Sequence, residues 1–166
     1  KSLPNKNILF IPDENLGRWI QKQVPEKNFY FSGGHCPVHS VLTAAAVQAQ
    51  RAAHPDAVVA AHPECRAEGL ALADFIGSTA EIIAYARQTQ AREIVLVTEP
   101  GVLYELKKQC PGKVFYPATG VCEDMKSVTL QKTLACLTGG GHEVQVEASL
   151  AEAARRPLER MLELAK

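Results

Sequence analysis

The residues of this chain able to do chemistry sit mostly at the ends of short apolar runs. Gly33-Gly34-His35-Cys36-Pro37-Val38-His39 places a thiol and two imidazoles on a glycine-rich turn. There the backbone can approach a ligand closely, and Pro37 suits the first turn of a helix. The segment reads either as a metal or active-site loop or as a structural cysteine, since no second pair at zinc-site spacing follows. Gly120-Val121-Cys122-Glu123-Asp124-Met125-Lys126 is a second such loop. Lys126 stands near a helix start, where a cation meets the unfavourable end of the dipole, so either an anion partner or simple solvation explains it. His62-Pro63-Glu64-Cys65 follows an apolar run and brings an imidazole, a carboxylate and a thiol together on a loop that Pro63 stiffens; such a cluster suits acid–base work. In Gly77-Ser78-Thr79, hydroxyls and free amides meet at a helix start, which binds a carboxylate or phosphate or is an ordinary cap of its own helix. Thr98-Glu99-Pro100-Gly101 reads more simply as a turn. Cys110 and Cys136, at a helix end and on an apolar helical face, read as small buried thiols. Trp19, with Leu16 and Ile20 at helical spacing, reads as core, and His54 and His142 as loop residues.

Elements must hold these loops, and the pattern supplies them. Runs of branched and aromatic residues predict strands at 7–11, 28–31, 57–60, 93–97, 113–116 and 143–146. Helical periodicity predicts helices at 16–23, 38–53, 79–89, 102–109, 125–137 and 150–164. Strands alternating with helices predict an α/β fold with parallel sheets covered by helices.

An offset of 86 residues superimposes the two halves almost without gaps. Ile8-Leu9-Phe10-Ile11-Pro12-Asp13 meets Ile94-Val95-Leu96-Val97-Thr98-Glu99, so each half opens with a strand ending at an acidic residue. Phe29-Tyr30 meets Phe115-Tyr116, Cys36 meets Cys122, and Val58 meets Val144. The repeat predicts two tandem three-layer αβα domains, 1–90 and 91–166, joined near residues 90–92. Each cysteine would lie at the carboxyl end of a second strand, where open parallel sheets bind ligands.

Composition narrows the function. The chain has 166 residues, 46% of them hydrophobic, enough for a buried core. Eighteen basic residues balance eighteen acidic ones, so nothing draws it to nucleic acid or an anionic membrane. No apolar stretch approaches the roughly 20 residues that span a bilayer, and no secretory signal opens the sequence. A cytoplasmic location follows as the expectation, where an odd cysteine count points to ligands, catalysis or buried thiols rather than disulfides.

Taken together, Leu9-Phe10-Ile11-Pro12-Asp13-Glu14-Asn15-Leu16-Gly17, Cys36-Pro37-Val38-His39, His62-Pro63-Glu64-Cys65, Gly77-Ser78-Thr79, Thr98-Glu99-Pro100-Gly101 and Cys122-Glu123-Asp124-Met125-Lys126 resemble the quinolinate synthase family in order and spacing. The resemblance covers essentially the whole chain. It implies two of three similar α/β domains around a pseudo-threefold axis, each giving one cysteine to a 4Fe-4S cluster; Cys36 and Cys122 match two ligand positions, and Cys65 matches none. One iron would be left open to bind substrate as a Lewis acid. The implied activity is that of a transferase in pyridine nucleotide biosynthesis, condensing iminoaspartate with dihydroxyacetone phosphate to quinolinate with loss of phosphate and water. By the same resemblance His62, Ser78 and Thr79 bind substrate carboxylate, Glu64 handles protons, and His39 faces the cavity.

The family's first domain, with the third cysteine and further substrate contacts, has no counterpart in these residues. The chain alone is therefore expected neither to hold a three-cysteine cluster nor to catalyse the whole reaction. The missing domain is either a lost segment or a partner chain. Two other readings compete: a noncatalytic metal- or ligand-binding α/β module, and a doubly wound nucleotide enzyme, which the absence of a Gly-x-Gly-x-x-Gly or phosphate-loop motif disfavours.

Overall fold

The computed structural model describes residues 3–118, 120–141 and 143–164. His142 lies outside them. The chain divides into two compact units, Asn5–Glu123 and a second made of Asp124 onward with the residues before Asn5.

The first unit holds all the strands: β1 (Asn7–Phe10), β2 (Asn28–Phe31), β3 (Val58–Ala61), β4 (Phe75–Ile76), β5 (Glu93–Val97) and β6 (Val114–Pro117). Between them run α1 (Glu14–Gln23), α2 (Pro37–Ser40), α3 (Ala44–Ala53), α4 (Ala67–Leu70), α5 (Thr79–Gln88) and α6 (Leu103–Gln109). All pairings are parallel: β1 with β2, and a four-stranded sheet in the order β4-β3-β5-β6.

Successive side chains on a strand point to opposite faces, so a strand that is apolar throughout needs cover on both sides. Val59, Ala61, Val95 and Val97 pack with Leu42, Val47 and Leu70 on one face. Ala60, Ile94 and Leu96 pack with Ile82, Ala86 and Leu106 on the other. The result is three layers, with α3 and α4 on one side of the sheet and α5 and α6 on the other. Each fully buried branched side chain contributes about 1.5–3 kcal/mol, which is why this sheet forms the core.

The α/β class and its three-layer arrangement are as the sequence predicts, but the strands are grouped differently. The four-stranded sheet takes β3 and β4 from before residue 90 and β5 and β6 from after it. The expected division at 90–92 thus runs through a single sheet, and the contacts divide the chain between Glu123 and Asp124 instead. Asn7↔Asn28 through Phe10↔Phe31 in β1–β2 is repeated by Glu93↔Val114 through Leu96↔Pro117 in β5–β6.

Several boundaries move for local reasons. The helix expected over 38–53 breaks into α2 and α3, because extended Thr43 caps a fresh start by accepting from the Ala46 amide. The helix expected over 125–137 likewise becomes α7 (Glu123–Lys126) and α8 (Leu130–Leu137), with Thr129 accepting from the Lys132 amide. A last helix, α9 (Ala148–Leu164), covers the expected 150–164. Residues 143–146 form no strand. No described helix is long and apolar enough to cross a membrane.

Candidate active site at the carboxyl edge of the strands

Parallel pairing puts every strand's carboxyl end on the same edge of its sheet, which is where such sheets bind ligands. Along the four-stranded sheet this edge carries Ser78 after β4, His62 and Glu64 after β3, Thr98 and Glu99 after β5, and Cys122 beyond β6. At the equivalent edge of β1–β2 stand Asp13, Cys36 and His39.

Asp13 organises its corner. Its Oδ1 accepts from the Leu16 amide at 2.8 Å and caps α1. Its Oδ2 accepts from the Cys36 amide at 2.7 Å. The Glu14 amide donates to the Gly34 carbonyl at 2.8 Å, tying the two loops again. A Cβ on Gly34 would collide with the Pro12 carbonyl, so this close approach requires glycine. The neighbouring Gly33 has φ +78°, which also favours glycine.

The second half repeats the device. Glu99 accepts from the Gly101 amide at 2.6 Å, and its other oxygen accepts from the Cys122 amide at 3.4 Å. Cys36 and Cys122 are both free and partly exposed.

Between the sheets lies a cluster of imidazole, hydroxyl and carboxylate. Buried His39 has Nδ1 3.0 Å from Glu64 Oε2 and 3.2 Å from Cys36 Sγ, and Nε2 3.1 Å from Thr98 Oγ1. With Nδ1 protonated, the imidazole donates toward Glu64 and Cys36 and accepts from the Thr98 hydroxyl. The His62 ring stacks on that of His39 with centroids 4.7 Å apart, and His62 Nδ1 lies 3.7 Å from Glu64. Burial, then the neighbouring His39, pushes the His62 imidazole below its usual pKa of 6.5, against the opposing pull of Glu64 and Asp13. His62 is therefore neutral near pH 7. The Asn15 amide donates to the Glu64 carbonyl at 3.1 Å and fixes that loop from α1. Pro12, Asp13, Gly34, His35, Cys36 and Glu64 line an open cleft of 280 Å³.

His39, His62, Glu64 and Cys36 are thus brought together. Ser78 caps its own helix in a reciprocal box: its hydroxyl accepts from the Glu81 amide at 3.4 Å, and its amide donates to Glu81 Oε2 at 2.7 Å. Thr79 is exposed at the first turn of α5. Cys65 is fully buried, donates to the Val97 carbonyl at 3.3 Å, and is pushed up to about 12 by desolvation, so it stays a thiol. Cys110 is buried as predicted, whereas Cys136 is exposed, because α8 has no buried residue to pack it. Thr98, expected as a turn residue, instead meets the His39 ring, and Asp13 and Glu99 each bind a cysteine amide that lies far along the chain. Their position at strand ends was the available signal.

Fold and site define a parallel α/β protein that gathers thiol, imidazole and carboxylate groups at its strand ends. The chain belongs to the quinolinate synthetase A family: the family described as Quinolinate synthetase A protein matches residues 1–163. It is 42% identical over 167 residues to the quinolinate synthase of Caldicellulosiruptor saccharolyticus, covering 99% of this chain and 55% of that protein. It is 43% identical over 171 residues to the quinolinate synthase of Aquifex aeolicus, covering 99% and 53%. The chain spans about half the length of the curated relatives it matches.

Proposed function

We propose that this chain forms part of a cytoplasmic quinolinate synthase, a transferase of NAD biosynthesis that condenses iminoaspartate with dihydroxyacetone phosphate to quinolinate with loss of phosphate and water. The observation that carries this reading is the equivalence of Cys36 and Cys122. They lie 86 residues apart at matched strand ends, each with its amide bound by a carboxylate 23 residues earlier.

The donor chemistry fits a 4Fe-4S cluster. Partly exposed Cys36 and Cys122 can present their sulfurs to an iron–sulfur cluster, whereas Cys65 is fully buried with its thiol donating to the Val97 carbonyl. Cys36 and Cys122 would supply two ligands, and a third would come from a further domain. When bound, the cluster supplies an iron without a protein ligand as a Lewis acid for the substrate.

The chain's own residues do the rest. Neutral His62, stacked on the His39 ring, binds a substrate carboxylate by hydrogen bonding. Glu64 takes and returns protons during isomerisation and dehydration, and the proton shared with His39 Nδ1 makes the pair a relay. Thr79 offers its hydroxyl at the start of α5. Ser78 contributes its amide only when a substrate carboxylate displaces Glu81 from it.

The test is turnover by the full-length protein, reconstituted anaerobically with iron and sulfide and supplied with both substrates. Quinolinate formation that depends on iron and sulfide supports the reading. A fully folded, iron-loaded protein that makes none contradicts it.

A second reading, a metal-binding module without this activity, has its own support. Cys36, His39 and Glu64 offer a sulfur, a nitrogen and an oxygen within 4.8 Å of one another, a donor set suited to zinc. Under that reading Cys122 is dispensable for metal binding.

A further inference from the structure

We infer that Asp13 and Glu99 are a matched pair of positioning residues, each fixing the loop that presents one cluster cysteine. This inference rests on Cys36 and Cys122 being cluster ligands.

Three observations carry it. Among the described residues, Asp13 and Glu99 are the acidic residues in the buried class, 3% and 8% exposed. A buried carboxylate is costly unless hydrogen bonds compensate, and in both cases a cysteine amide supplies one of them. The separation along the chain is 23 residues in each half. Finally, each carboxylate also binds the backbone just after its own strand, Asp13 at Leu16 and Glu99 at Gly101. Each is therefore a bracket between the helical start that follows one strand and the cysteine loop that follows the next.

A bracket of this kind acts on the thiol through the backbone. Holding the cysteine amide restricts the loop torsions and hence where the sulfur can stand before a cluster assembles. Groups that orient metal ligands in this way typically matter about 10–100-fold in metal affinity. The two brackets differ in length. Asp13 reaches its amide at 2.7 Å, the distance of a strong charge-assisted bond, and Glu99 at 3.4 Å. The Cys36 loop is thus the more firmly set.

The experiment uses the full-length protein with Asp13→Ala, Asp13→Asn, Glu99→Ala and Glu99→Gln. Reconstituted protein is mixed anaerobically with excess iron chelator, and iron release is followed in time. We expect release about tenfold faster in Asp13→Ala, and a smaller acceleration in Glu99→Ala. Asp13→Asn and Glu99→Gln fall between wild type and the alanine variants, because the amide keeps one accepting oxygen where the carboxylate uses two. A second arm needs no cluster: iodoacetamide alkylation of the metal-free protein, mapped by mass spectrometry. Asp13→Ala should change the Cys36 rate by about threefold or more, the scale of one lost hydrogen bond, and leave Cys122 alone, with Glu99→Ala doing the reverse. General destabilisation would move both cysteines together and would overturn the proposal, as would alanine variants matching wild type in both arms. If wild type assembles no cluster, the functional reading fails, and the alkylation arm still decides the positioning claim.

Discussion

His39 and Glu64 come from the ends of strands in different sheets, yet His39 Nδ1 lies 3.0 Å from Glu64 Oε2. The Thr98 hydroxyl on Nε2 and the stacked ring of His62 hold the imidazole from two further sides. The Asn15 amide holds the Glu64 backbone from a third element. The pair is thus held in one geometry, and Glu64 also lines the adjoining cleft.

Glu64→Gln keeps the shape of the pair and removes the basic oxygen. In full-length reconstituted protein, kcat should fall by about 10²–10⁴, the usual share of general acid–base catalysis, with iron content unchanged. Steady-state kinetics beside an iron assay reads this. A kcat within a few-fold of wild type would remove Glu64 from the proton-transfer role.

Cys65 differs from the two loop cysteines in its surroundings. Desolvation pushes its thiol up to about 12, so almost none is thiolate at pH 8. Cys65 should resist iodoacetamide in the native protein, and Cys65→Ser should leave the iron count intact. Rapid native-state labelling of Cys65 would contradict this burial.

His62 gives a pH dependence with a defined sign. Its folded pKa lies below 6.5 while the unfolded chain titrates near 6.5, so the unfolded state binds more protons at mildly acidic pH. The stability tied to neutral His62 is present above 6.5 and is lost as pH falls through the folded value. NMR titration should place the His62 midpoint below 6.5, and the urea midpoint should fall less on acidification in His62→Gln than in wild type. A midpoint above 6.5 would mean that Glu64 and Asp13 outweigh burial.

In the core, Leu96 is fully buried against α5 and α6. Leu96→Ala should cost about 2–5 kcal/mol by urea denaturation. Val41, 69% exposed, should tolerate alanine within about 0.5 kcal/mol.

The sequence was most legible where one physical signal dominated. The apolar runs of β1, β2, β3, β5 and β6 all form strands, β3 and β5 buried and the others exposing alternate residues such as Leu9, Tyr30 and Val114, and both cysteine loops stand at strand ends. It was less legible where a single side chain redirected the backbone, as Thr43 and Thr129 do by capping helices inside apparently continuous periodicity. β4 pairs only Phe75 and Ile76 with β3, too short a run to show alternation. The sheet order could not be read from the repeat, because β3 pairs with β4 of its own half on one side and with β5 of the next on the other. The carboxylate on each cysteine amide was invisible for the same reason: 23 residues of chain separate the partners.

The central claim is that Cys36 and Cys122 ligate one inorganic centre. Mössbauer spectroscopy with iron quantification on ⁵⁷Fe-reconstituted full-length protein tests it most directly, comparing wild type with Cys36→Ser, Cys122→Ser and Cys65→Ser. A 4Fe-4S spectrum is expected in wild type and Cys65→Ser and its loss in each of the other two. A Cys122→Ser protein with the wild-type spectrum and iron content would contradict it.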